Sequence, residues 1–389
     1  DAPRSVTEEP CKEDELVKLP GMTGGSRPVL EFAAARGGDA SALLNGRARL
    51  GDVGQSRRSP LNLNSLLAAV EAAPPVAAVD VLAAELAEAI GAREVSFLIA
   101  DFSGRSLIRL GHSGGEGGLR LQGQETAERV PLAGTPHGRA LAAQAVEVIS
   151  EDGGARLFAP VTSRGEAVGV LELGLESFPV EQTVADVALA AHFLAYVVIA
   201  NRRYTDLFEW GQRSVPLSLA AEIQHRLLPG SFTCEAGQFT LAAWLQPAGE
   251  IGGDTFDFSL ERDTLHVSMT DAMGHTMDAA LLATVLVGGL RNARRRGVEL
   301  AEQARLANDA LAEHAGESQF VTGLIVRIDL HAATAGIVNA GHPPPLRVRA
   351  GQVQRVPLEV DRPFGLEAGG DYRVQALHLE VGDRLMFVT

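Results

Sequence analysis

Two aspartates are the residues best suited to do chemistry. Asp254 lies in Gly252-Gly253-Asp254-Thr255-Phe256-Asp257, and Asp271 in Thr270-Asp271-Ala272-Met273-Gly274-His275. Each stands beside small residues that let the backbone come close. Carboxylate and backbone oxygens suit a hard divalent cation such as Mg²⁺ or Mn²⁺, whereas thiolate and imidazole clusters would point to zinc. A pair of bridging carboxylates neutralises much of the charge of two cations and holds them roughly 3.5–4 Å apart. Water bound there loses a proton near neutral pH, and the cations stabilise charge on a phosphoryl group under in-line attack. No side-chain nucleophile is needed, in keeping with the absence of a Gly-x-Ser-x-Gly elbow or a Cys-His pairing. The expected chemistry is metal-dependent hydrolysis.

The surrounding elements must bring the two carboxylates together. Phe239 to Leu245 alternates, with Leu241, Ala243 and Leu245 on one face, and Leu265, Val267 and Met269 alternate in the same way. This period of two predicts a strand region that Asp254 closes, and a strand over Thr264 to Thr270 that ends at Asp271. Adjacent antiparallel strands would set both carboxylates at the same edge of a sheet. An apolar helix is expected over Ala279 to Leu290, beginning near Met277. Asp257 reads as a carboxylate that orients a ligand or water, or as a turn cap. His275 reads as a general acid or phosphate contact, or as a cap at a helix start. His342, before three prolines, reads as structural. Asp361 and Asp383 read as turn residues without a catalytic role.

Upstream, residues 1 to about 60 are rich in Gly, Arg, Ser, Asp and Glu without a sustained apolar period, which predicts a poorly ordered leader. Leu66, Leu67, Val70 and Ala73 share a helical face that Pro74-Pro75 ends, and Val81, Leu82, Leu86 and Ile90 mark a second helix. Strands are expected over Val95–Phe102, Ser106–Leu110, Ala145–Ile149, Leu157–Val161 and Ala167–Leu175. The last two form a hairpin across Thr162 to Glu166. Gly111 to Gly118 lacks the Lys-Ser/Thr of a P-loop and reads as a flexible turn. A long helix is expected over about Val180–Arg203, running on toward Trp210. Leu219, Ile223 and Leu227, spaced i, i+4, i+8, place an amphipathic helix within residues 217–228. It reads equally as a helix packed on its own domain or as a connector between domains that supports a homodimer.

With 389 residues, 46% apolar and 21% charged, the chain has room for two domains with substantial cores. The net charge of -15 argues against a nucleic-acid partner, and the one basic run, Arg291 to Arg296, reads as the C-terminal cap of a helix. Two separated cysteines, Cys11 and Cys234, argue against a disulfide framework or a cysteine zinc site. The longest apolar run, Phe193 to Ala200, falls well short of the ~20 residues a membrane helix needs. No membrane partner is expected, no signal sequence is visible at the start, and the cytoplasm is the expected location.

Two resemblances follow. Phe158-Ala159-Pro160-Val161, then Gly165-Glu166-Ala167-Val168-Gly169-Val170-Leu171-Glu172-Leu173, in a helix-strands-helix order over about residues 62 to 203, resembles a GAF domain. That implies a sensor module with a central antiparallel sheet and an unidentified ligand. No haem- or chromophore-attaching cysteine is present. Further on come Glu222-Ile223-Gln224 with Leu227-Leu228-Pro229, the two aspartate motifs, Ala279-Ala280-Leu281-Leu282, Asn339-Ala340-Gly341-His342-Pro343-Pro344-Pro345, Pro363-Phe364-Gly365-Leu366 and Gly382-Asp383-Arg384-Leu385. In order and spacing these resemble the metal-dependent serine/threonine phosphatases of the protein phosphatase 2C type, in the SpoIIE/RsbU branch. Gly252 to Phe256 also resembles the Gly-Gly-Asp/Glu-Glu-Phe signature of diguanylate cyclases. Thr255, Asp271 and the proline run depart from it.

The phosphatase resemblance implies an α/β (α+β) chain whose second domain is an αββα sandwich. Asp254 and Asp271 would be catalytic metal ligands, with the carbonyl of Ala272 as a further ligand to two Mn²⁺ or Mg²⁺ ions. The family usually has other small residues after the second aspartate, a mild departure. In the family, the strand matching Leu385 to Thr389 runs into a metal-binding Asp-Gly, and another aspartate follows. The resemblance therefore implies a C-terminally truncated domain with a weakened site. The expected organisation is a leader over 1–60, a GAF-like sensor over 61–203, a connecting helix over 204–228 and the phosphatase domain over 229–389. The implied substrate is a phosphorylated anti-anti-sigma factor of STAS type. The alternative is a catalytically inactive scaffold that regulates partner switching by binding only.

Overall fold

Alternating apolar residues build three antiparallel sheets, and amphipathic helices cover them. A computed structural model describes residues 29–34, 61–113, 128–213, 217–245, 253–274, 276–316 and 318–389. The first strand, β1 (Val29–Ala34), belongs to the C-terminal half. The N-terminal half runs α1 (Leu63–Ala72), α2 (Ala78–Ile90), β2 (Ala92–Ala100), β3 (Ser106–Ser113), β4 (Arg129–Pro131), α3 (Pro136–Ala143), β5 (Glu147–Glu151), β6 (Gly154–Ser163), β7 (Glu166–Leu175) and α4 (Glu181–Asn201). Asn62 starts α1 by accepting from the amide of Asn64 at 3.0 Å. Arg164 and Gly165, both at positive φ, make the tight β6–β7 connection that the hairpin requires.

The strand order of this sheet is β4-β3-β2-β7-β6-β5. Val95, Phe97, Ile99, Leu171 and Leu173 form one apolar face with residues of α1, α2 and α4. Leu98, Leu107, Phe158 and Val170 form the other, packed on Ala140 of α3. An antiparallel sheet with flanking helices is what the resemblance to a GAF domain implies. Helix α4 is long and apolar enough to cross a membrane by length and composition, with a mean hydropathy of 1.9. Here Val187, Ala190, Ala191, Leu194 and Val198 are buried in the domain core.

The C-terminal half runs α5 (Leu207–Gln212), α6 (Leu219–Leu227), β8 (Thr233–Glu235), β9 (Phe239–Trp244), β10 (Gly253–Leu260), β11 (Thr264–Ala272), α7 (Met277–Arg295), α8 (Leu300–Ala312), β12 (Val321–Asp329), β13 (Thr334–Ala340), β14 (Leu346–Arg349), β15 (Gln352–Arg355), β16 (Gln375–His378) and β17 (Arg384–Val388). One sheet has the order β10-β11-β12-β13-β16, the other β15-β14-β17-β1-β9-β8. Phe256, Val267, Met269, Leu324, Val326 and Ile337 of the first meet Phe239, Leu241, Leu385 and Phe387 of the second in an inter-sheet core. Helices α7 and α8 cover the outer face of the five-stranded sheet. The outward residues of β9, Thr240, Ala242 and Trp244, are exposed. The second helical layer of an αββα sandwich is not among the described residues.

Several expectations change. Residues 29–34, within the expected leader, form a strand between β9 and β17, with Val29 opposite both Trp244 and Val388. Its partners are far away in sequence, so no local period announced it. The long helix stops at Asn201, and α5 is separate. Strand β3 extends through Ser113 into the expected glycine loop; the rest of that loop, 114–118, lies outside the described residues. In α6 the expected leucine stripe is not the buried face: Leu219 is 67% exposed, while Ala221, Gln224 and the following Leu228 are buried.

Candidate active site

Strands β10 and β11 pair directly, Gly253 with Ala272, Asp254 with Asp271 and Thr255 with Thr270. The two aspartates are therefore opposed residues on one face of the sheet, as expected for neighbouring antiparallel strands. Asp254 does not close a strand, as the alternation had implied, but is the second residue of β10, and β11 continues past Asp271 to Ala272. Counting by two identifies the face. Asp254 precedes Phe256, Asp271 follows Met269 and Thr322 precedes Leu324, all three apolar residues lying in the inter-sheet core. Thr322 is opposite Asp271 in the β11–β12 ladder. A polar row, Asp254-Asp271-Thr322, thus continues the apolar core at one end of the sandwich.

The backbones are very close here. A Cβ on Gly253 would lie 2.3 Å from the Ala272 Cβ and 2.6 Å from its carbonyl oxygen, so only glycine fits. One residue further in, on the opposite face, the buried hydroxyls of Thr255 and Thr270 hydrogen-bond at 2.6 Å and lock the strands together. Directly opposed like charges destabilise a sheet. A cation between them reverses that sign, and an all-oxygen donor set suits a hard one. Among the described residues no group of three or more His, Cys, Asp or Glu side chains could hold a metal ion. The described donors are thus this carboxylate pair and nearby backbone oxygens, Ala272 among them. They fit a hard cation in chemical kind.

Asp257 does not face this pair. Three residues from Asp254, it points to the helix-covered side, where it is buried and bonded to Arg291 at 2.8 Å and Arg294 at 3.0 Å. This corrects the expectation that it orients a ligand or water. It also explains part of the basic run: Arg291 and Arg294 fasten α7 to β10, while Arg294 and Arg295 lie in the last turn of the helix. His275 lies outside the described residues.

Two contributors had no role assigned from the sequence, where Gln224 stands only within the Glu222-Ile223-Gln224 motif and Thr322 in none. Gln224 is fully buried, and its amide donates to the carbonyl of Asp254. Arg291 donates to the carbonyl of Leu227 at 2.6 Å, so both ends of the second half of α6 are tied to the carboxylate-bearing layer. Thr322 is the other. Its hydroxyl lies 3.0 Å from Nδ1 of His342, whose own amide donates to Oδ1 of Asn339 at 2.8 Å. The turn between needs glycine, because Gly341 has φ +74° and a Cβ there would lie 2.6 Å from Pro363. Opposite-strand parity would have revealed Thr322; a glutamine on an amphipathic helix gives no signal of burial.

The family described as Stage II sporulation protein E (SpoIIE) matches residues 261–389. The matched segment holds Asp271, Ala272, Thr322 and His342, and Asp254 lies just before it on the paired strand. Phosphoserine phosphatase RsbU of Bacillus subtilis (strain 168) is 21% identical over 174 residues, 44% of this chain and 52% of that protein. The chain therefore spans about half the length of this curated relative. Among solved structures, the RsbU and RsbW domains of a Mycobacterium tuberculosis protein are similar at 28% identity, 34% of this chain, 37% of that one and a TM-score of 0.31. The GAF domain of an Acinetobacter phosphoenolpyruvate-protein phosphotransferase is 14% identical, covering 37% of this chain and 95% of that one, with a TM-score of 0.30.

Proposed function

We propose that this protein is a metal-dependent serine/threonine phosphatase whose SpoIIE-type domain is governed by its GAF-like domain. The observation that carries the reading is the direct opposition of Asp254 and Asp271 at the end of the sandwich. Both carboxylates, with the Ala272 carbonyl, would hold Mn²⁺ or Mg²⁺. Two such ions supply an activated water and stabilise charge on the phosphoryl group. The chain's part is positional. Gly253 permits the approach of the strands, the Thr255–Thr270 bond fixes their separation, and Gln224 holds the backbone of Asp254.

The substrate in this reading is a phosphoserine or phosphothreonine on a regulatory protein of STAS type, an anti-anti-sigma factor. Its dephosphorylation would release a sigma factor by partner switching. The printed name of the Bacillus relative, a phosphoserine phosphatase, supports the phosphoester class.

Contacts between the halves support governance by the sensor. The amide of Glu235 on β8 donates to the carbonyl of Arg164 in the β6–β7 turn at 2.9 Å. Arg202 at the end of α4 donates to the carbonyl of Gly230 at 2.7 Å. The ring of Phe102 stacks on His225 of α6 at 4.6 Å. Arg226 of α6 pairs with both oxygens of Glu209 on α5, whose Phe208 is buried in the core of the N-terminal half. A ligand that favours one sensor conformation would thus bear on α6, and through Gln224 on Asp254.

The test is phosphate release from a serine-phosphorylated STAS-domain protein with and without Mn²⁺. Metal-dependent release supports the reading. Tight binding of the phosphoprotein without release under any metal would favour the binding-only scaffold instead.

A further inference from the structure

We propose that His342 is a positioning residue for the carboxylate pair, acting through the hydroxyl of Thr322. The inference rests on reading Asp254 and Asp271 as a cation site. His342 is 2% exposed and lies at the end of the sandwich, where β13 leaves the five-stranded sheet. Its backbone is held by Asn339, which is itself fully buried. Its Nδ1 meets the Thr322 hydroxyl at 3.0 Å. Its Nε2 is buried and makes no hydrogen bond of normal geometry. Burial pushes the imidazole pKa down to about 4, partly opposed by the Val388 backbone nearby, so the ring is neutral at physiological pH.

A neutral imidazole has one N–H and one acceptor nitrogen. With the proton on Nε2, Nδ1 is the acceptor at the 3.0 Å contact with the Thr322 hydroxyl. The Thr322 hydroxyl then donates to His342. Its lone pairs remain, and Thr322 stands directly opposite Asp271 in the ladder, where side chains on one face are about 4.5–5.5 Å apart at Cβ. The imidazole therefore stops the hydroxyl from donating its proton to Asp271 and presents oxygen toward the cation site. Turned the other way, that proton would compete with the cation for the carboxylate. An outer partner that fixes a ligand environment in this manner typically carries 10–100-fold in metal affinity or activity, as an order of magnitude.

The test is a mutational cycle read by Mn²⁺ binding, followed as loss of the free-ion electron paramagnetic resonance signal, with the unfolding midpoint of each variant recorded in metal-free buffer. His342→Asn keeps an acceptor at the place of Nδ1, and His342→Gln keeps a polar group at the place of Nε2 only. The expected result is that His342→Gln and Thr322→Val each weaken Mn²⁺ binding by about 10- to 100-fold. His342→Asn should stay within about threefold of the unaltered protein. The double variant Thr322→Val/His342→Gln should be no weaker than either single one, because both remove the same bond. Additive losses, or equal losses for Asn and Gln, overturn the proposal, since burial alone would treat the two alike. If neither His342 variant folds, Thr322→Val decides: unchanged Mn²⁺ affinity overturns it. Absence of saturable Mn²⁺ binding in the unaltered protein would overturn both the site and this role. Binding without phosphatase turnover would overturn the proposed function alone, and the cycle would still judge His342.

Discussion

In the N-terminal sheet the buried carboxylate of Glu172 is surrounded by Arg156 at 2.6 Å, Arg109 at 3.1 Å and His137 at 3.2 Å, whereas in the five-stranded C-terminal sheet Asp254 stands directly opposite Asp271. Both carboxylate groups lie on strands of antiparallel sheets next to apolar cores. The first arrangement sets three basic groups around one carboxylate. Burial opposes ionisation of Glu172, but His137, Arg156 and Arg109 outweigh it and hold the carboxyl down to about 2. The second sets like charges side by side, at a spacing that only Gly253 allows. A charge cluster that stabilises a domain and one that binds a cation differ in sign balance, and sign balance is visible in strand register.

The comparison is tested most strongly in the N-terminal half. Glu172→Ala strands two guanidinium groups and an imidazole, and removing one partner of a buried pair costs about 3–5 kcal/mol. The lower end is expected, because Arg109 keeps Glu128 and Arg156 keeps Glu94 and Glu151. Urea unfolding should show this loss while Mn²⁺ affinity stays unchanged. A change in affinity would mean that the two clusters are not independent.

Acid should separate the halves in two windows. His342 has a folded pKa of about 4 against an ordinary 6.5. Unfolded chains bind its proton first, so stability is lost as pH falls from about 6.5 toward 4, by about 3 kcal/mol in all. Glu172 has a folded pKa of about 2 against 4.5, so its contribution is intact above about 4.5 and lost as pH falls toward 2. Unfolding followed against pH should show the first loss shrink in His342→Asn and the second shrink in Glu172→Gln. A single window untouched by either substitution would contradict both assignments.

The smallest expected effect on stability comes from Gly253→Ala. The added methyl must push β10 from β11, and overpacking of this kind costs about 1–3 kcal/mol. Because it spreads the carboxylate pair, Mn²⁺ affinity should fall along with stability. Affinity that survives the substitution would show that the close approach does not serve the site.

Much of this was legible in the residues. The β6–β7 hairpin and the strand that carries Asp271 follow from period-two alternation, whereas Asp254 stands near the start of β10 rather than closing a strand; the glycine before it marks the close approach. Asp257 was misread because its neighbourhood to Asp254 in sequence was weighed above parity; an odd separation on a strand means opposite faces. Gln224 was missed because a polar residue on a short amphipathic helix ordinarily faces water, whereas here the backbone of β10 satisfies it. Strand β1 was missed because six residues amid a polar stretch carry little signal, and both of its partners come from distant parts of the chain. Local pattern reports local structure well, and these three failures all involve partners supplied by tertiary packing.

The central claim is that Asp254 and Asp271 together form a hydrolytic cation site. Turnover of p-nitrophenyl phosphate at graded Mn²⁺ concentrations, in the unaltered protein, Asp254→Asn and Asp271→Asn, tests it most directly. The account predicts saturable Mn²⁺-dependent turnover that falls at least ~100-fold in each variant. Turnover independent of Mn²⁺, or retained when both aspartates are replaced, would contradict it.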